Sequence, residues 1–356
     1  MHKKYLIQLF LKKILLIFFI FLSLVYILNL FEEVSFFKDL NSNIILPIIT
    51  TTLNAPSIIY ILFPFIFLIS AQLFFIDLIE KNELDLLKIN GYTNIKILSI
   101  IALISFAVGL VIVVFFYNFS SKMKFIYLEF KNSYSLDDKY LAVINENGLW
   151  IKDVVDKENY IINATKIDNN FLKNVTITVY DKDFEINRII SSNEVDISEN
   201  NWKIKNPITF KGNLSKKENE DINLYSNFDI KKINSLFKNL SSLNFYQLYK
   251  LKKNYNNLNY SYEEIDIHIK KLISFPLYLT IMSILSSIIM LNIKRNNSQI
   301  IYLFIGIFSS VTIYYVNILF QSLGKNGIIP PNLSIWMPII ILSTIISIGL
   351  IRINEK

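Results

Sequence analysis

Six long runs of apolar residues, separated by polar segments, constrain this chain more than any other feature of its sequence. A bilayer core needs about 20 consecutive apolar residues in a helix. Because lipid offers no partners to backbone N–H and C=O groups, each run is predicted to be a transmembrane α-helix. The predicted spans are Ile14–Phe31, Pro56–Ile79, Ile95–Tyr117, Leu272–Ile293, Ile300–Leu323 and Leu333–Ile351.

The spans fall three and three around a polar middle segment. We therefore divide the chain into an N-terminal membrane half at 1–123, a middle domain at 124–240, and connector helices with a C-terminal membrane half at 241–356. Either Ser241 or Ser242 is expected to cap a connector helix, and Ser261 is expected to start a second helix that runs into the fourth span.

Short β-branched and alternating runs, bounded by Asn, Asp, Gly and Ser, predict an all-β middle domain. Many short strands without helices between them are typical of a sandwich, a jelly roll or an open barrel. The chain has no cysteine, so a hydrophobic core rather than disulfides is expected to hold this domain together. The predicted strands are Tyr140–Ile144, Gly148–Lys152, Tyr160–Ala164, Asn174–Tyr180, Glu185–Ile190, Glu194–Ile197, Trp202–Ile204 and Ile208–Phe210.

The short loops predict which way the spans face. With a cytoplasmic N-terminus, eleven Lys and Arg residues lie inside and two, Lys38 and Lys325, lie in the short outside loops. This positive-inside bias places both termini in the cytoplasm and the middle domain in the periplasm. The net charge of +7 then reflects topology rather than nucleic-acid binding. His2–Lys13 is expected to form a short amphipathic helix on the inner leaflet.

The sequence carries no familiar catalytic motif. It lacks the Gly-x-x-x-x-Gly-Lys-Ser/Thr stretch of a P-loop, and its two histidines, His2 and His268, do not form a zinc-binding pair. We expect His268 to be an interfacial residue. An enzyme is therefore not expected, and no cofactor is expected on this chain.

The loop at 77–95, between the second and third spans, holds a predicted short helix from Glu83. Leu84, Leu87 and Lys88 share one face by their three- and four-residue spacing, and Gly91 is placed to end the helix. Two interpretations stay open: an amphipathic plug for a groove on another protein, and an ordinary connector.

The segment Glu83-Leu-Asp-Leu-Leu-Lys-Ile-Asn-Gly91-Tyr-Thr resembles the Glu-Leu-x-x-Met/Leu-x-x-x-Gly-hydrophobic-Ser/Thr segment of the lipopolysaccharide-export permeases LptF and LptG. Gly148-Leu-Trp-Ile-Lys-Asp153 resembles the start of the periplasmic domain in the LptG branch. Gly327-Ile-Ile-Pro-Pro331, followed by Trp336 and Pro338, resembles the start of the last helix there. With the three-plus-three layout, the resemblance covers essentially the whole chain and favours LptG.

This resemblance implies partners and a fold. The chain would pair with a homologous LptF-like permease above two copies of an LptB-like ATPase, which would bind the ATP, and would pass lipopolysaccharide to an LptC- or LptA-like periplasmic bridge. The middle domain would be a β-jellyroll. The ATPase-coupling residues would be Glu83, Leu84, Leu87, Lys88 and Gly91.

The resemblance also implies a lipid cavity that opens between the first span of one permease and the fifth span of the other. Asn29 stands where the LptG branch carries Lys, so phosphate contact falls to Lys38, to Lys271 or to the partner. Glu32 and Glu33 either pair across the gate or are solvated rim charges. Phe304, Phe308, Tyr314 and Tyr315 either line the cavity or face lipid.

Two other functions stay open at this point. One is the permease of a different lipid or lipoprotein exporter, although lipoprotein exporters resemble a four-span layout. The other is a membrane scaffold or sensor without transport activity, which would have no ATPase partner.

Overall fold

The computed structural model describes most of the chain: residues 2–38, 45–134, 149–155, 158–168, 170–181, 185–212, 214–218, 220–228, 230, 239–257, 262–292 and 299–354. These fall into two compact units, which are described separately. The membrane unit comprises 1–127, 240–249 and 262–356, and the β unit comprises 128–239 and 250–261.

Among the described residues, six helices are long and apolar enough to cross a membrane, which confirms the predicted spans. The helices are α1 (His2–Phe37), α2 (Ile45–Glu80), α3 (Glu83–Ile89), α4 (Asn94–Val111), α5 (Tyr117–Tyr134), α6 (Phe245–Asn257), α7 (Glu263–Leu291), α8 (Gln299–Lys325) and α9 (Pro331–Asn354). A π-helical turn at Ile112–Phe116 joins α4 to α5, and together they form the third span.

The first two spans are longer than the sequence predicted. His2–Lys13 is not a separate surface helix: it is the first part of α1, where Phe10 is fully buried and its ring packs edge-on against Phe74 at 5.7 Å. The second helix begins at Ile45 rather than Pro56. The extra turns carry Thr50, which is buried, and Thr52, which is exposed. Each hydroxyl donates to a carbonyl of its own helix, and this local hydrogen bond lets threonine fit within a helix.

Small residues let α4 and α7 approach closely in the membrane unit. A Cβ on Gly109 would lie 2.9 Å from the Cα of Pro276, and Ser105 donates to the hydroxyl of Ser283 at 2.9 Å. Close backbone approach and interhelical hydrogen bonds are the usual means by which helices associate in lipid.

The β unit is one antiparallel sheet, which confirms the expected β domain. Strands β1 to β5 pair in chain order, β5 also pairs with β8, and β4 pairs with β6 of the β6–β7 hairpin. The strands are β1 (Leu149–Val155), β2 (Glu158–Asp168), β3 (Phe171–Tyr180), β4 (Ile186–Asp196), β5 (Asn201–Lys205), β6 (Ile208–Lys211), β7 (Leu214–Lys217) and β8 (Ile222–Tyr225).

Two details of the strand prediction changed, and one predicted strand is not tested. Glu185–Ile190 and Glu194–Ile197 belong to one strand, because Ser192 between them donates to the Lys205 carbonyl and keeps its segment in the sheet. Strands β7 and β8 carry too few β-branched residues to have been predicted. Tyr140–Ile144 lies outside the described residues.

A buried carboxylate in the β unit joins its first strand to the segment that follows its last strand. Asp153 in β1 is 2% exposed. Its Oδ2 accepts hydrogen bonds from the Ser226 hydroxyl at 2.7 Å and the Asn227 amide N–H at 2.9 Å, and its Oδ1 accepts from the Asn227 side chain. Trp202, fully buried in the core, donates to the Phe228 carbonyl at 2.7 Å. The segment after β8 is thereby tied to both β1 and β5.

The connector helix α6 has a different cap from the predicted one. Ser241 and Ser242 lie in a short 3₁₀ turn. The cap is Asn244, whose side-chain oxygen accepts from the Gln247 amide N–H at 2.8 Å while the Gln247 side chain accepts from the Asn244 N–H at 3.0 Å. This reciprocal pair is a capping box. Ser261 lies outside the described residues; α7 runs on as the fourth span, as predicted.

Candidate functional site

The short helix α3 begins at Glu83, as predicted, and ends at Ile89, two residues before the predicted stop signal Gly91. Acidic Glu83 and Asp85 occupy its first turn and Lys88 its last, which suits the helix dipole. Gly91 follows with φ +80°. The Gly91 and Tyr92 amides donate to the carbonyls of Lys88 and Leu87, so the helix ends in a Schellman motif that favours glycine.

The helix turns its predicted apolar pair inward. Leu84 and Leu87 are buried, and α3 packs on α2 of the same chain. Lys88, expected to share their face, is exposed instead. Leu84 and Leu87 therefore hold α3 in place and are not on its free surface.

The outward face of α3 is formed by Leu86 and Ile89, three residues apart, which are 55% and 82% exposed. Neither was among the sequence-predicted residues. The signal was present, because a seven-residue helix with apolar residues at 84, 86, 87 and 89 has more of them than one face can bury.

Glu83 points towards α1. The Tyr5 hydroxyl donates to Glu83 Oε2 at 2.5 Å, and Lys13 forms an ion pair with Asp77 at 2.7 Å. The His2 and Tyr92 rings meet edge-on at 5.9 Å. These contacts fasten the start of α1 to α3 and to the residues on either side of it.

A polar cluster lies at the opposite end of the membrane unit. Asn54 donates to Asn29 Oδ1 at 2.9 Å, and Lys124 Nζ donates to Asn54 Oδ1 at 2.7 Å. Tyr127 donates to Glu33 Oε1 at 2.8 Å, and its ring centroid lies 4.4 Å from Lys124 Nζ. These five residues, from α1, α2 and α5, are named the α1–α2–α5 cluster.

Glu33 and Asn29 are both buried, so the interpretation of Glu33 as a solvated rim charge is wrong: a buried carboxylate needs hydrogen-bond donors, and Tyr127 supplies one. Within the described residues, Asn29 Nδ2 has no hydrogen-bond partner. Glu32 and Lys38 are exposed. Sequence reasoning missed Asn54, Lys124 and Tyr127.

Lys271 is half-buried on α7, one turn from His268. The Tyr117 hydroxyl donates its one proton to the Leu243 carbonyl at 2.8 Å and lies 3.0 Å from His268 Nε2. Since that proton is already used, His268 Nε2 must carry a hydrogen and donate to Tyr117. His268 is thus a hydrogen-bonded packing residue at the end of the fourth span.

Helix α8 presents a stripe of exposed aromatic side chains. Phe304, Phe308 and Tyr315 are each about two-thirds exposed or more and share one face by their spacing. Tyr314 instead lies against Phe65, with ring centroids 5.5 Å apart. The structure brings the first three together on a free surface; it does not bring them near the α1–α2–α5 cluster through any described contact.

A buried glutamine on α2 donates a hydrogen bond to the backbone of α8. Gln72 is fully buried, and its Nε2 donates to the Tyr302 carbonyl at 2.9 Å. The approach requires Gly306, because a Cβ there would lie 2.0 Å from Gln72 Nε2. All residues of α8 are described, and its buried ones are Gly306, Ser310 and Gly324. Gly306 is thus one of the three positions at which α8 is buried.

The β unit carries one compact ion cluster. Glu194 accepts hydrogen bonds from Lys173 and Lys205, and these hold the pKa of its carboxyl below its ordinary value and raise the pKa of Lys205. Lys205 Nζ also lies 4.5 Å from the Phe171 ring centroid. Among the described residues, no group of three acidic or histidine side chains is placed to hold a metal ion.

A family model described as lipopolysaccharide export system permease LptF/LptG matches residues 4–352. The chain belongs to this family. Membership in LptF/LptG agrees with the six spans and the β unit, and it makes the chain a multi-pass inner-membrane transport subunit rather than an enzyme. The match does not separate the LptF branch from the LptG branch. No curated protein matches the sequence.

Proposed function

We propose that this chain is one of two permease subunits of an ABC transporter that extracts lipopolysaccharide from the inner membrane and delivers it to a periplasmic bridge. The family match over 4–352 carries this proposal. The outward apolar face of α3 supports it, because this face gives a motor protein a place to attach.

The ATPase attaches at α3. Leu86 and Ile89 enter a groove on an LptB-like subunit, as amphipathic helices do. Glu83 acts through Tyr5, so that displacement of α3 is passed to α1. Lipid extraction is uphill, since each Å² of apolar surface moved into water costs about 25 cal/mol. The chain has no P-loop of its own, so the partner supplies this energy from ATP.

In this proposal both termini and α3 lie in the cytoplasm and the β unit lies in the periplasm, which the positive-inside bias supports. The functional divisions are 1–123, 124–240 and 241–356. Edge strands of the sheet, such as β1 and β8, are the docking surface for an LptC- or LptA-like bridge by strand addition.

The lipid cavity lies between this chain and an LptF-like partner. The aromatic stripe Phe304, Phe308 and Tyr315 faces acyl chains. Lys38 and Lys271 contact phosphates by charge-assisted hydrogen bonds. Asn29, whose Nδ2 is buried without a partner among the described residues, offers a donor to a sugar at the rim.

Affinity purification of the tagged chain in mild detergent tests this function. We expect a second six-span permease and a cytoplasmic ATPase to co-purify; recovery of a stable monomer alone would overturn the proposal. Leu86→Asp with Ile89→Asp should remove the ATPase and retain the second permease.

A matched control pair lies in the β unit. Ile186→Asp with Leu214→Asp replaces two comparably exposed apolar residues and should leave ATPase recovery unchanged. Equal loss of the ATPase from both pairs would show a general folding defect and would remove α3 as the attachment site.

A further inference from the structure

Helix α6 carries an exposed stripe of aromatic and basic side chains. Tyr246, Tyr249, Lys250 and Lys253 recur at the spacing i, i+3, i+4, i+7, which is one face of a helix. The two tyrosines are 74% and 62% exposed, and both lysines are exposed as well. The opposite face, with Leu248 and Leu251, is buried. The stripe is therefore held outward by its own chain.

The start of α6 lies at the boundary of the apolar part of the membrane unit. No charged residue occurs between Lys96 and Lys122, and Tyr117 is near the far end of that uncharged stretch. Lys271 is the last charge before the fourth span. Leu243, two residues before α6, accepts the hydrogen bond of Tyr117, beside His268. Tyr117, Leu243 and His268 thus meet where two apolar spans end. Helix α6 begins at this membrane boundary.

The chemistry of the stripe matches a lipid headgroup layer. Tyrosine is enriched where one end of a side chain is apolar and the other is wet, and lysines beside a membrane are attracted to anionic headgroups. We propose that the stripe Tyr246, Tyr249, Lys250 and Lys253 binds the anionic phospholipid headgroups of the surrounding bilayer and anchors α6 to the membrane surface. This inference needs the six spans but not the ATPase or the exported lipid.

Site-specific labelling of the whole chain tests this anchor, because the chain has no cysteine. A bimane label on Tyr249→Cys, in nanodiscs containing a headgroup nitroxide lipid, should be quenched. Quenching should rise when phosphatidylglycerol replaces phosphatidylcholine. Lys250→Gln with Lys253→Gln should remove that rise, since each lysine contributes about fivefold to the ratio of bound to free helix.

Two controls distinguish a headgroup anchor on the stripe from non-specific quenching of the label. Gln247→Cys, exposed on the same helix but off the stripe, should be quenched less, and Lys250→Arg with Lys253→Arg should restore the rise. Equal quenching at 247 and 249, or quenching indifferent to lipid charge and to the lysines, would overturn the proposal. Loss of quenching when a partner protein joins the disc would make the face a protein interface and would overturn it too.

Discussion

Replacing Gly306 by Ala should destabilise the membrane unit through one contact. The new Cβ would lie 2.0 Å from Gln72 Nε2 and 2.6 Å from its Cδ, far inside van der Waals contact. Gln72 is fully buried, so it cannot move aside without strain. Overpacking of this kind costs about 1–3 kcal/mol.

The same change threatens a hydrogen bond. If α8 moves away, the Gln72 amide loses the Tyr302 carbonyl, now at 2.9 Å, and a buried unpaired amide costs about 1–3 kcal/mol more. Alanine gains about 1 kcal/mol over glycine in helix propensity. The costs outweigh this gain, and we expect a net loss of about 3 kcal/mol, which lowers Tm by several degrees.

Thermal unfolding in detergent, followed by tryptophan fluorescence, measures this loss. Gly349→Ala is the matched control, because its Cβ would meet Ile288 at 3.0 Å or more, and its effect on Tm should be much smaller. In a double-mutant cycle, Gln72→Ala should relieve most of the cost of Gly306→Ala. A Gly306→Ala chain as stable as the parent, or a cost unchanged in the Gln72→Ala background, would show that the Gly306–Gln72 contact does not limit the packing of α8 on α2.

Three further changes give separate tests. Asp153→Ala should cost about 3 kcal/mol in unfolding free energy, because it leaves the Ser226 and Asn227 donors buried without their acceptor, whereas Asp153→Asn should cost less; a denaturant titration compares them. Glu194→Gln should lower Tm slightly at neutral pH, because a carboxyl whose pKa is lowered on folding stabilises the fold above its ordinary pKa of 4.5 and loses that contribution as pH falls below it. The difference from the parent should therefore vanish in acid, and a constant difference at all pH values would contradict the ion cluster. Gly91→Ala should cost about 1 kcal/mol through its φ of +80° alone, with Gly91→Asn cheaper; equal Tm values for Ala and Gly at this position would contradict the strain.

The membrane spans and the β unit were predictable because hydropathy and strand patterning are local properties of sequence. The start of α3 at Glu83 and the glycine that stops it, Gly91, were predictable for the same reason. Which face of α3 packs inward was not, because it depends on α2. The spacing of Leu84 and Leu87 predicted a surface for a partner protein, but both side chains are buried and hold α3 in place. Leu86 and Ile89 are the exposed apolar pair.

Polar contacts between residues far apart in the sequence could not be predicted from local sequence patterns. Asn29 and Glu33 were singled out as rim residues, but their partners are far away along the chain. Asn54 is 25 residues from Asn29, and Tyr127 is 94 residues from Glu33. Lys124 is 70 residues from Asn54, to which it donates. No pattern in the sequence singled out Gln72. Its role depends on Gly306, which lies opposite to it on another helix. The cap of α6 was misplaced by two or three residues because several polar residues compete there.

Lipid release from proteoliposomes is the most direct test of the proposed export function. Lipopolysaccharide-loaded vesicles carrying this chain with its co-purified permease and ATPase would be mixed with the periplasmic bridge protein. We expect ATP-dependent transfer of lipopolysaccharide to the bridge, and we expect this transfer to be lost when this chain is omitted or carries Leu86→Asp and Ile89→Asp. Transfer that proceeds unchanged without this chain, or a complete complex that hydrolyses ATP and transfers no lipopolysaccharide, would contradict the proposed export function.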